Sequence, residues 1–144
     1  MTTLPRIYQQ WRRSLVGVLA VLSFTVLPAL AGRSSLAANP SKINFGNVQL
    51  GGTQSQFETL TNVGTSSVTI YKSNITGSGF RATGLTLPVT LSPGQSITLT
   101  LSFTPQASGT ITGSFSASSK YWKANVSVPL SGTGTSVGQL GVAP

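Results

Sequence analysis

The chain has 144 residues, 39% of them apolar, which suits one globular domain and excludes a disordered polymer. Only 7% are charged, and neither His nor Cys occurs. With a single acid in the whole chain, the composition excludes a disulfide framework, a metal site built from His, Cys or several carboxylates, a glycosidase carboxylate pair and a Ser–His–Asp triad.

Arg6, Arg12 and Arg13 precede the apolar run Leu15–Leu30. Ala29-Leu30-Ala31 before Gly32 has the small-x-small form of a cleavage site, and Pro28 would break a helix beside it. Residues 1–31 therefore read as a secretory signal peptide, helical in its apolar part. The alternative is an uncleaved anchor at the short limit for a bilayer, the membrane being touched only there. Arg12-Arg13-Ser14-Leu15-Val16 also has the form of a twin-arginine signal; by either route the mature protein leaves the cytoplasm. Beyond the signal, Arg33, Lys42, Lys72, Arg81, Lys120 and Lys123 stand against Glu58. They are scattered, so no nucleic-acid footprint forms.

Residues 32–40 are small and polar and read as a linker to a domain over 41–134, with 135–144 as a loose tail. Lys42–Phe45 alternates as a half-buried strand, with Ile43 and Phe45 on one face, and Gly51-Gly52 marks a turn. Gln56–Asn62 and Val68–Asn74 follow as strands, with Thr69 and Tyr71 sharing the face opposite Val68 and Ile70. Between them, Asn62 is expected to hydrogen-bond locally and Gly64 to supply a positive φ. Phe80 opens a short apolar segment, and Pro88 within Leu85–Leu91 argues for an edge. After the Pro93-Gly94 turn, Ile97, Leu99, Leu101 and Phe103 alternate with Thr98, Thr100, Ser102 and Thr104. Ile111, Gly113, Phe115 and Ala117 share a face of the next strand. In the last, Trp122, Ala124, Val126, Val128 and Leu130 point inward and Tyr121, Lys123 and Asn125 outward, and Gly132-Thr133-Gly134 ends the domain.

Seven to eight short strands at about ten-residue spacing, with no helical period after the signal, predict an all-β, immunoglobulin-like antiparallel sandwich. One segment conflicts with itself. Under strict alternation Phe57 and Leu60 fall on opposite faces and Glu58 falls on the side of Leu60. A β-bulge, or an edge position with Glu58 in solvent, would relieve this.

Chemistry is scarce. Ser118-Ser119-Lys120 is the one pairing open to Ser–Lys nucleophilic catalysis, and adjacent residues in a turn are solvated rather than aligned. The expectation is no enzyme, no cofactor and no metal. Tyr71, Tyr121 and Lys123 are the candidate surface contacts, because they mix aromatic faces with a cation on outward positions. The partner expected from these features is another envelope or extracellular protein held at sheet edges or loops. A glycan stacked on exposed aromatics is the alternative.

Ordered motifs then carry a resemblance. They are Ile43-Asn44-Phe45-Gly46-Asn47-Val48 with Gly51, Leu60-Thr61-Asn62-Val63-Gly64 with Val68-Thr69-Ile70, and Gly77-Ser78-Gly79-Phe80. Leu91-Ser92-Pro93-Gly94-Gln95-Ser96, Phe103-Thr104-Pro105 with Gly109, and Leu130-Ser131-Gly132-Thr133-Gly134 complete the set. Together, over about residues 40–134, they resemble a bacterial ASH-type domain, the module also found in choice-of-anchor D proteins and, in eukaryotes, in abnormal-spindle, SPD-2 and Hydin proteins. The resemblance implies a seven- or eight-stranded sandwich like that of major-sperm-protein and pilus-chaperone domains, with no catalysis and a structural or interaction role. A ciliary or cytoskeletal role, known among the eukaryotic relatives, would conflict with the export signal.

Overall fold

A computed structural model describes residues 32–120, 123–136 and 138. Residues 1–31, where a signal peptide is expected, Tyr121, Trp122 and most of residues 135–144 lie outside the described residues. Nine strands occur among those described: β1 Leu36–Asn39, β2 Ile43–Gln49, β3 Gln54–Asn62, β4 Val68–Thr76, β5 Phe80–Thr83, β6 Val89–Leu91, β7 Ser96–Phe103, β8 Gly109–Ser119 and β9 Asn125–Thr135. They form a four-stranded sheet ordered β1-β3-β7-β5 and a five-stranded sheet ordered β2-β9-β8-β4-β6. This is the immunoglobulin sandwich, with its first strand divided between the sheets and a short extra edge strand.

Alternation positions the core. Leu99, Leu101 and Phe103 of β7 face Phe115 and Ala117 of β8 and Val128 and Leu130 of β9, all buried. Phe45 on one sheet meets Phe80 and Phe103 on the other, with ring centroids 5.8 Å from each, and Phe80 stacks on Phe103 at 4.7 Å. Each buried ring contributes about 1.5–3 kcal/mol by leaving water. In a chain without disulfides this contact between the sheets carries much of the cohesion.

Four expectations are corrected. Residues 32–40 are not a linker: Leu36–Asn39 pairs antiparallel with Thr59–Asn62 and buries Leu36. Three small or apolar residues before a proline show no alternation, so only the pairing reveals the strand. The chain then crosses to the other sheet at Asn39–Pro40, a cis peptide. Because of that crossing β2 runs parallel to β9, pairing Ile43 with Leu130, so the sandwich is not antiparallel throughout. The strand count is nine rather than seven or eight. Finally, β9 continues through Gly132-Thr133-Gly134. Gly132 is needed there because a Cβ would stand 2.5 Å from the Phe103 ring.

Glu58 resolves against both expected escapes. The β3–β7 register runs unbroken from Gln54 to Thr61, so there is no bulge. Phe57 points outward, 74% exposed, and Glu58 points inward, fully buried beside Leu60 and across from Leu99. Neither carboxylate oxygen has a hydrogen-bond partner. Burial pushes its pKa from 4.5 up to about 7, while the nearby Asn39 and Thr59 amides pull weakly the other way.

This sets a stability profile. The unfolded chain releases the Glu58 proton near 4.5 and the folded chain holds it to about 7. Stability is therefore greatest below pH 4.5, falls as pH rises to about 7 and levels off above it, by at most about 3 kcal/mol. No His, Cys or second acid titrates in this range. Thermal melts should show a midpoint about 10 °C lower at pH 8 than at pH 4.5. Glu58→Gln should flatten the profile, and Glu58→Leu should also raise the midpoint at pH 8. A pH slope that survives Glu58→Gln would assign the titration to another group.

Candidate functional site

The turn 62–67 builds one end of the sandwich, and Asn62 builds the turn. Its buried Nδ2 donates to Ser66 O and to Leu91 O, both at 2.9 Å, and its Oδ1 accepts from Gly64 N at 3.0 Å. Its backbone N donates to Gln95 O at 2.9 Å, and its O accepts from Gly94 N at 2.8 Å. One residue thus ties the end of β3 to the 62–67 turn and to the Ser92–Gln95 turn.

The turn in turn holds the chain before β1. Thr65 N and Ser66 N donate to Arg33 O, Val63 N donates to Ser35 O, and Arg33 N donates to Thr65 Oγ1. Gly64 is required by this contact: a Cβ there would collide with Arg33 O. The expected positive φ at Gly64 is not found, so close approach rather than turn handedness selects glycine.

Beside this assembly lies an open groove of about 230 Å³, lined by Ser34, Ser67, Val68, Thr69, Tyr71, Ser119, Lys120 and Lys123. It is smaller than the usual pocket of about 300–1,000 Å³ that encloses a small molecule. Tyr71 owes its place to a β-bulge. The β4–β8 register passes from Ile70–Ser119 to Lys72–Ser118, leaving Tyr71 as the extra residue, 53% exposed. Beside it, Ser119, paired in register with Ile70, accepts at Oγ from Ala124 N at 2.8 Å, which fixes the end of β8. That hydroxyl closes a turn.

The groove brings together two of the three sequence-derived contact residues, Tyr71 and Lys123; Tyr121 lies outside the described residues. Sequence reading left Lys120, which stands in the same aromatic and basic run as Lys123, out of its contact set, and missed the serine and threonine walls from Ser34, Ser67 and Thr69. Nothing local marks Ser34, because its place depends on the long-range contact of residues 33–35 with the turn. Phe57, the most exposed aromatic described, stands on the other sheet among Thr59, Thr98 and Thr100. Phe57 and Tyr71 therefore do not form one aromatic platform.

Comparison with known proteins agrees with this architecture. The family model for ASH, the abnormal spindle-like microcephaly-associated, ASPM–SPD-2–Hydin domain, matches residues 33–119. The chain belongs to the ASH family. The match takes in β1, in keeping with its pairing to β3. ASH domains are non-catalytic interaction domains. Among solved structures, this ASH domain is similar to PapD-like domain 7 of human CEP192, with a TM-score of 0.60 and 16% identity over 72% of this chain and 87% of that one. It is also similar to part of the secreted serine protease VesC of Vibrio cholerae, with a TM-score of 0.56 and 18% identity over 69% of this chain and 23% of that one. A family 123 glycoside hydrolase of Clostridium perfringens matches at a TM-score of 0.57 and 8% identity, over 73% of this chain and 28% of that one. At such identities these likenesses show the fold alone. No curated protein sequence matches.

Asn62→Ala should cost about 2–4 kcal/mol in chemical denaturation, because it strands the Leu91 and Ser66 carbonyls together. Thr69→Ala, which removes only the exposed 2.8 Å hydroxyl pair with Thr90, should cost less than about 1 kcal/mol. Equal costs would mean that Asn62 is no more than an ordinary turn residue.

Proposed function

We propose that this ASH domain is an exported, non-catalytic module of the cell envelope or extracellular space that binds another protein at the Tyr71–Lys123 groove. The carrying observation is the bulge that presents Tyr71 between hydroxyl walls and two lysines at one end of the sandwich. Family membership supports a protein partner, since ASH domains mediate interactions between proteins. Export is supported by the positive start, apolar run and Ala29-Leu30-Ala31 pattern of residues 1–31. VesC, a secreted protein, carries a domain of this fold.

The sheet edges support the groove over strand addition. β6 has three residues after Pro88, and β1 and β5 have four each. The longest edge strand, β2, is interrupted by a register shift between Asn44 and Asn47, and Gln56 Nε2 caps Asn44 O at 2.9 Å. Short, bulged and capped edges discourage an added strand. The glycan alternative has less support, since it calls for grouped aromatics and Phe57 and Tyr71 stand on different sheets.

Two measurements test the reading. In cells, the exported protein should begin after Ala31, read by mass spectrometry of its N-terminal peptide. In pull-downs from envelope fractions, the chain should retain a reproducible partner that Tyr71→Ala reduces and Phe57→Ala does not. Retention unaffected by Tyr71→Ala would move the contact away from the groove.

A further inference from the structure

The charges of the folded domain are arranged in an unusual way. Six cations, Arg33, Lys42, Lys72, Arg81, Lys120 and Lys123, belong to the described residues. The one acid, Glu58, is fully buried. Among the described residues the surface therefore carries charged side chains of one sign only. Four hollows show the same bias. The groove holds Lys120 and Lys123, and the others hold Lys42, Arg81 and Lys72 singly; none is lined by an acid. Of these four, among the described residues, only the groove pairs two cations with an exposed aromatic.

We infer that the groove receives an acidic segment of a partner protein, its carboxylates meeting Lys120 and Lys123 and an apolar or aromatic neighbour resting on Tyr71. This rests on the reading of the groove as a protein-contact surface and names the chemistry of that partner. Complementary charge steers association and excludes wrong partners. A surface without exposed acids offers a basic partner no counter-charge. The Lys72 ammonium extends the positive field along β4, where Lys72 pairs in register with Ser118 just before the groove.

Other polyanions fit less well. Single-stranded nucleic acid is bound by a continuous basic groove with a series of stacking aromatics. Among the described residues one tyrosine stands in a groove of about 230 Å³. Lysine ammonium groups meet separate carboxylates as point charges, which suits Glu and Asp side chains on a flexible chain. The Ser34, Ser67 and Thr69 walls add hydroxyl donors for further carboxylate or peptide oxygens.

The test uses the full chain and a labelled oligoglutamate peptide of about 20 residues, titrated by fluorescence anisotropy. Binding should weaken several-fold between about 50 and 300 mM salt. Lys120→Glu with Lys123→Glu should weaken it about tenfold or more, and Tyr71→Ala several-fold. Lys42→Glu with Arg81→Glu makes the same change in net charge away from the groove and should stay within about twofold. Circular dichroism on each variant separates lost binding from lost fold. Equal losses from the two charge-reversed pairs would overturn the inference, as would absence of binding, or tighter binding of oligogalacturonate or of a single-stranded oligonucleotide. Oligoglutamate should also displace any partner retained from envelope fractions. A specific protein partner that it cannot displace refutes the acidic-segment inference and leaves the protein-contact reading standing. Failure to retain any protein would instead defeat that reading.

Discussion

The side-chain amide of Asn62 joins three pieces of chain that no covalent cross-link holds. It uses both of its faces, two N–H donors on carbonyls and one oxygen on an amide; the side chain is buried, as is its bond to Leu91 O, while those with Ser66 O and Gly64 N are part-buried. In low dielectric such bonds are strong when complete and costly when broken. The 62–67 turn depends on them, and the 33–35 segment depends on the turn. Tyr71 is positioned by the pairing of β4, which leaves that same turn. The candidate groove is thus a by-product of one satisfied polar residue in a mainly apolar core, where the other fully buried polar side chain described, Glu58, has no such partners.

What could be read before the structure varied with the range of the interaction. The alternation of β7 is local, and Leu99, Leu101 and Phe103 sit on the face it assigns them. Val68 and Ile70 inward, with Tyr71 outward, follow the same rule. The edge placement of Pro88 beside β6 follows from its missing N–H. What escaped was long-range. β1 is identified by its partner β3 and not by its own residues. The parallel β2–β9 pairing depends on the crossing at Pro40. Gly132 looked like a terminator but answers to a phenyl ring on the other sheet. The groove was half legible: alternation assigns Tyr71 and Lys123 outward positions and both are exposed, although a bulge presents Tyr71 and Lys123 precedes β9, whereas Ser34 joins them only through tertiary contact.

Glu58 is the position where alternation was right and chemical intuition misled. A carboxyl group on an inward position invites a bulge, yet the sheet keeps its register and the acid holds its proton up to about pH 7 instead. Losing one proton-binding difference costs less than dislocating a nine-residue strand from two neighbours. Exposed positions are filled by hydroxyls, which pair across strands, as Thr59 with Thr98 and Thr61 with Ser96. Each hydroxyl can donate to its neighbour and still accept from water, so the outer faces are polar without being ionic.

A folded surface with ionised side chains of a single sign behaves as a small like-charged colloid. Broad, flat sheet faces covered in hydroxyls could otherwise stack on copies of themselves. Two copies meeting face to face must first bring cations toward cations, a repulsion that extends about 8 Å at physiological salt. Most soluble domains achieve dispersion with a mosaic of acids and bases. Here the same end is reached by leaving acids off the described surface, so molecules of the same kind repel at the distance from which an acidic partner begins to be drawn in.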